Sequence, residues 1–206
     1  MIRDVILLGI FLDTETSGLN ALKHRILEIS FKIVDLFTGD LIEVYSQIIS
    51  QPKKVWMQSD VNSLQINGFT WDIISQGVEE KQIKEEIIEI FKKVPIQRKS
   101  SVFICQNPSF DRSFFTQIIE MKIQDDLKWP YHWFDLASMF WAISIQKAKE
   151  TSPSFLHQIS FSKDSIAKFY NLPIEKKPHK AMNGVDHLLL CYEKVVGFPE
   201  KLNKNG

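Results

Sequence analysis

The sequence predicts an α/β domain, a mixed sheet with helices on both faces, and three observations carry that prediction. Val5 to Leu12 is a short, unbroken apolar run that stops at Asp13 and Glu15, the pattern of a central strand buried on both sides. Two partly alternating segments, 25–33 and 41–49, surround a turn at Phe37-Thr38-Gly39-Asp40 and read as a hairpin, which makes the sheet mixed. Further on, apolar strand-like runs are followed by amphipathic stretches with helical spacing.

The first run is the expected middle strand. It is too short for a membrane span and lacks the small-residue cleavage site of a signal peptide. Residues 50–77, with Pro52, Gly68 and Gly77, read as loop with one short helix. From Val78 to Val94 the positions Ile83, Ile87, Ile88, Ile90 and Phe91 trace one helical face, and Pro95 ends it. Val102–Cys105 is a second buried strand, followed by a helix from about Ser109 to Met121. Trp133–Leu136 is a further short strand, and 137–149 and 163–170 are helical. The last helix is placed at Val185–Val196, where Val185, Leu188, Leu189, Tyr192 and Val196 share a face. No linker-like shift in composition divides residues 1–206, so one domain is expected.

The 206 residues balance 25 Lys and Arg against 25 Asp and Glu, so no global charge steers the chain to a polyanion. Hydrophobic content of 44% and charged content of 24% are ordinary globular values, and fifteen Phe and five Trp can fill a core. Eight Gly and eight Pro are too few for a collagen-like or disordered chain. The isolated Cys105 and Cys191 offer neither a disulfide framework nor a zinc spacing, which points to buried thiols in a reducing, cytoplasmic setting.

Chemistry concentrates in three segments. In Asp13-Thr14-Glu15, strand periodicity aims both acids to one side; close carboxylates repel, and a hard divalent cation such as Mg²⁺ or Mn²⁺ relieves the conflict. The alternative is two acids ending a strand in solvent. In Asn107-Pro108-Ser109-Phe110-Asp111, a second strand leads to an acid at a helix start, and ligands of open α/β sheets collect outside the strands' carboxyl ends, where Asp111 would meet the first pair. Asp111 could equally serve only the helix dipole. The third segment, 176–187, supplies His179, able to deprotonate a water near neutral pH, and Asp186. His24, His132 and His157 read as ordinary surface or core histidines.

Together the segments resemble the three motifs of the DEDD exonuclease superfamily, histidine type, also called the DnaQ-like family, over residues 5–196. Asp13-Thr14-Glu15-Thr16-Ser17-Gly18-Leu19 is similar to its D-x-E-T-T/S-G-L signature, and Asn107-x-x-Phe110-Asp111 to its second motif. Ile66-Asn67-Gly68-Phe69-Thr70 resembles its I-x-G-I/F-T segment, and 164–170 the helix before its third motif. The third motif, H-x-A-x-x-D, is matched at His179 and Ala181, but Gly184 holds the fifth position and the next acid is Asp186. Either Asn183-Gly184 lengthens the turn so that Asp186 faces the site, the preferred explanation, or Gly184 holds the family position and the fourth acid is missing.

The resemblance implies a ribonuclease H-like fold and a metal-dependent 3′-to-5′ exonuclease that releases nucleoside 5′-monophosphates from single-stranded DNA or RNA ends. It implies two Mg²⁺ or Mn²⁺ ions about 4 Å apart. Asp13 would bridge them, Glu15 and Asp186 would complete one, Asp111 would bind or orient the other, and His179 would be the general base. Backbone groups around Thr14 to Thr16 would hold the 3′-hydroxyl and Leu19 would wedge against the last base, or serve as a core leucine. Arg112, Lys176, Lys177 and Lys180 could contact phosphates, and Phe69 and Trp71 could stack on bases. Proofreading, repair and RNA trimming are all compatible, as is a DNA polymerase as partner; no membrane is involved, and oligomeric state is open. A nucleic-acid-binding or protein-interaction module with a degraded third motif is the alternative from another class, and a metal-dependent phosphatase or other nuclease a third. With four acids converging on metal beside a small basic cluster around His179, the site must bind cations before it accepts a phosphate, so metal-free protein should bind nucleic acid poorly.

Overall fold

The computed structural model describes residues 6–150, 156 and 159–202, so Val5 and His157 of the sequence reading lie outside the described residues. The apolar run forms β1 (Leu8–Thr16), which does not stop at the acids: Asp13, Thr14 and Glu15 pair with Ser30, Ile29 and Glu28 of β2 (Ile26–Asp35). The predicted hairpin is present, with β3 (Leu41–Ile48) antiparallel to β2. Asp35 shapes the turn between them, its Oδ1 accepting from the Phe37 amide at 2.7 Å. On the other side of β1 lie two parallel strands, β4 (Ser101–Cys105) and β5 (Trp133–Asp135), giving the order β3-β2-β1-β4-β5 with the first strand in the middle, as expected.

Between β3 and β4 the single short helix expected is replaced by three, α1 (Lys53–Trp56), α2 (Val61–Asn67) and α3 (Trp71–Ile74), before the predicted α4 (Glu80–Lys93). The second and third are set by caps rather than by periodicity: Asp60 and Thr70 accept from the amides of Ser63 and Ile73. Helix α5 (Pro108–Ile118) is followed by an unanticipated short helix, α6 (Met121–Asp126). Helices α7 (Leu136–Glu150), α8 (Lys163–Phe169), α9 (Ala181–Val195) and α10 (Pro199–Leu202) complete the described chain.

Helix α9 starts four residues before the expected Val185. Its first amide, Ala181 N–H, donates to Glu28 Oε2 at 2.9 Å, so a buried carboxylate from β2 satisfies the helix start across 153 residues of sequence. Asn183 and Gly184 are therefore helical and lengthen no turn.

Strand alternation divides the core. Leu8, Ile10 and Leu12 pack with Phe103 and Cys105 against Ile83, Ile87 and Phe91 of α4 and Phe114, Phe115 and Ile118 of α5. Phe11 faces the other way, with Val102 and Ile104, against Leu136 and Phe140 of α7, Ile166 of α8 and Val185, Leu188 and Cys191 of α9. Helices thus cover both faces. Asp13 and Glu15 inherit the α9 side from Phe11, and Glu28, Ser30 and Lys32, directly opposite on β2, share it. Among the described residues no helix is long and apolar enough to cross a membrane.

Candidate active site

The site forms at the carboxyl ends of the parallel strands β1 and β4. Asp13 and Glu15 project from β1. After β4 the chain turns at Asn107, whose left-handed backbone (φ +57°) suits Asn, and Pro108 opens α5. The Asn107 amide donates to Asp135 Oδ1 at 3.0 Å and its side-chain oxygen accepts from Ser109 Oγ at 2.7 Å, which fixes the turn. Asp111 then falls in the first helical turn, 3% exposed, with Oδ1 accepting from Thr14 Oγ1 at 2.9 Å. The second motif is thereby bonded to the first.

The third motif is tied to the first through residues 66–69. The His179 amide donates to the Ile66 carbonyl at 3.1 Å, and Lys180 Nζ donates to the Asn67 carbonyl at 2.9 Å while lying 3.6 Å over the Phe69 ring. Asn67 Nδ2 donates to the Thr16 carbonyl at 3.1 Å. Gly68 (φ +67°) closes α2 beside Pro178, where an added Cβ would come within 3.3 Å of the proline ring.

Burial pushes the pKa of Asp13 up, with Lys163 pulling it back. Burial and the charges of Asp13, Glu28 and Glu175 push Glu15 up to about 8, and burial with the Asp13 charge holds Asp111 well above the usual carboxylate range. Glu175 goes the other way: burial opposes its charge, but contacts with His187 and Lys163 outweigh it and bring it down to about 2. Its Oε1 lies 3.3 Å from His179 Nδ1, facing that side of the ring.

The fourth acid is where sequence and structure part. Residues two apart on a helix point about 200° apart, so Gly184 and Asp186 cannot face one target. It is Gly184 that meets Asp13, so closely that a Cβ there would overlap the Asp13 carboxylate. Asp186, expected to face the site as catalytic residue and metal ligand, points away, is half-exposed and pairs with Lys32 on β2. The cause is the early start of α9, set by Glu28.

Beside Gly184 stands a residue the sequence reading passed over. Lys163, at the start of α8, donates from Nζ to Asp13 Oδ1 at 3.0 Å and to the Gly184 carbonyl at 3.3 Å, and its ion pair with Glu175 Oε2 is 3.1 Å. Its side chain is 13% exposed. Burial opposes the charge, but Asp13 and Glu175 outweigh that and keep the ammonium protonated. Glu175 was foreshadowed by its spacing four residues before His179; Lys163 and Glu28 had no local signal.

Two metal ions do not fit this arrangement. Like unit charges about 4 Å apart repel by roughly 4 kcal/mol at an effective dielectric of ~20, and a divalent ion on Asp13 beside Lys163 would double that. Helix α9 offers no acid to offset it, because the residue that faces Asp13 is Gly184. Among the described residues no three His, Cys, Asp or Glu side chains are gathered as a metal cluster. Asp13, Glu15 and Asp111 are oxygen donors of the kind a hard cation takes, but they are not gathered as its ligand set.

The remaining candidates divide. Leu19 is 79% exposed and so no core leucine, whereas Phe69 is buried and gives up its stacking role to Lys180 packing. Trp71 is half-buried under Lys53. Thr16 Oγ1 donates to the Gly18 carbonyl at 2.8 Å, so Thr14 and Thr16 spend their hydroxyls on the protein. Arg112 lies 6.0 Å from the Trp133 ring, and Lys176 and Lys177 are exposed. His24 accepts from the Asn20 amide and His132 is exposed, the ordinary roles expected of them.

No family model and no curated protein matches the chain. Solved structures do. E. coli exonuclease I in complex with a 5cy-dT13 oligonucleotide superposes with a TM-score of 0.67 at 15% identity, covering 97% of this chain and 43% of that one. This is the ribonuclease H-like exonuclease fold. Cell-death related nuclease 4 (TM-score 0.65, 12% identity, 92% of this chain) and a full-length 3′-exonuclease (TM-score 0.65, 12% identity, all of this chain) share the exonuclease fold, and each is covered over 63% of its length. The chain thus spans less than half of exonuclease I and under two thirds of the other two. A zinc-bound form of the exonuclease I complex with single-stranded DNA superposes equally well, with a TM-score of 0.67.

Proposed function

We propose that this chain recognises the 3′ end of single-stranded nucleic acid and removes nucleotides from it in the 3′-to-5′ direction, releasing nucleoside 5′-monophosphates. The observation that carries the reading is the convergence of Asp13, Glu15, Asp111 and His179 at the ends of β1 and β4, held by the Thr14–Asp111 and Asn67–Thr16 bonds. Exposed Leu19, with Asn20, Leu22, Ser113 and Thr116, lines an open groove of about 780 Å³ that can seat a terminal base. In this reading His179, with Glu175 beside its Nδ1, takes the proton of the attacking water, and Lys180 presents positive charge above Phe69 near the scissile phosphate.

A second reading, a nucleic-acid-binding module that does not hydrolyse, is favoured by Gly184 and Lys163 standing where a fourth acid and its cation would be. Oligonucleotides labelled at either end separate the two when incubated with Mg²⁺, Mn²⁺ or EDTA. Stepwise shortening from the 3′ end with metal supports the enzyme; retained binding without shortening supports the module. Matched DNA and RNA strands, single- and double-stranded, reveal the substrate class in the same assay.

A further inference from the structure

We infer that Lys163 is a built-in cation that takes the place of a metal ion at Asp13, so that nucleic-acid ends bind this site without any divalent metal. The inference rests on the nucleic-acid reading above and deepens it.

The surroundings of Lys163 are those of a fixed counter-ion. An ammonium has three N–H donors, and here Asp13, Glu175 and the Gly184 carbonyl receive one each at 3.0–3.3 Å. All three acceptors come from different elements: β1, the loop before α9, and α9 itself. Ser162 caps α8 by accepting from the Ser165 amide and so fixes the backbone that presents the lysine. Gly184 is the other half of the device. Any side chain there would collide with Asp13, so the bare glycine both removes an acid and opens the space in which Asp13 meets Lys163. With Asp186 paired to Lys32, no second acid on α9 turns back to the site.

The consequence concerns binding before chemistry. A site lined by acids repels a phosphodiester until cations enter; here the protein brings its own charge to Asp13 and Glu175, and Lys180 adds another at the entrance. Hydrolysis can still require a metal while binding does not.

The test measures affinity of the full chain for a fluorescent single-stranded oligonucleotide with a free 3′ end, in EDTA and in Mg²⁺, and separately titrates Mn²⁺ into the protein alone. The expected result is binding in EDTA that Mg²⁺ changes by no more than about twofold, and Mn²⁺ affinity weaker than about 1 mM. Lys163→Gln should lose about tenfold or more of the EDTA affinity and gain affinity for Mn²⁺. Binding that appears only with Mg²⁺, or tight Mn²⁺ uptake by the wild type, overturns the inference while leaving the nucleic-acid reading intact. Absence of binding in both conditions overturns the nucleic-acid reading itself and the inference with it. The wild-type arms decide the matter even if Lys163→Gln does not fold.

Discussion

Replacing Lys163 by Met keeps the length of the side chain and removes its charge, leaving the nearly buried Asp13 (16% side-chain exposure) without its cation and Glu175 (4%) with only His179 and His187 beside it. Breaking a buried pair from one side costs about 3–5 kcal/mol. A second route gives a similar figure: if one carboxylate escapes by taking up a proton, forcing protonation at about pH 7 on a group with an unfolded pKa near 3.9 costs roughly 4 kcal/mol. The sign follows from the direction of the shift. In the variant the folded carboxylates have raised pKa values, so their penalty grows above the unfolded pKa and shrinks as pH falls toward it, by up to about 1.4 kcal/mol per pH unit for each carboxylate. Denaturant unfolding of wild type and Lys163→Met at about pH 7 and pH 5 should therefore show a loss of about 3–5 kcal/mol that narrows clearly at the lower pH. A loss below about 1 kcal/mol, or one that does not change with pH, would refute the account of Lys163 as the counter-ion of this cluster.

His179→Ala should lower the rate of 3′-end shortening by about 10²- to 10⁴-fold, with oligonucleotide affinity changed little, as read by single-turnover assays alongside anisotropy. Asp186→Ala should leave both hydrolysis and affinity within about twofold and cost at most about 1 kcal/mol, since its half-exposed pair with Lys32 is all that is lost; a large fall in activity would return Asp186 to the site. His187 supplies a pH dependence. Burial opposes its charge, but contacts with Cys191 and Glu175 raise its pKa from 6.5 to about 9. Its contribution is therefore complete below 6.5 and is lost as pH rises through about 9, worth up to roughly 3 kcal/mol. Thermal unfolding across that window should show the decline, and His187→Gln should flatten it.

Much of the fold was legible because its signals are local. The run before Asp13, the hairpin around Gly39 and the amphipathic face of α4 each sit within one stretch of chain, and strand period alone put Asp13 and Glu15 on a common face. The misses share one physical feature. Helices α2 and α3 depend on single capping side chains, Asp60 and Thr70, in a segment whose Pro and Gly suggest loop. The start of α9 depends on Glu28, which only the folded sheet brings to Ala181. That contact decided the larger question, because with the helix begun at Ala181 the two-residue offset of Asp186 becomes a turn away from the site. The option that Gly184 holds the family position was readable from the spacing; Lys163 was not, since it lies 150 residues from Asp13 along the chain.

The pairing of Gly184 with Lys163 also constrains how this chain can change. Substituting an acid at Gly184 alone drives new atoms into the Asp13 carboxylate while the lysine still occupies its flank. Removing the lysine alone leaves the buried Asp13 carboxylate without its cation. Neither single substitution reaches a four-acid site without passing through a less stable protein, so the two positions tolerate change only together. Coupling of this kind confines the chemistry at Asp13 to two positions that answer to each other, while the frame, the strands and the ties between them, stays in place.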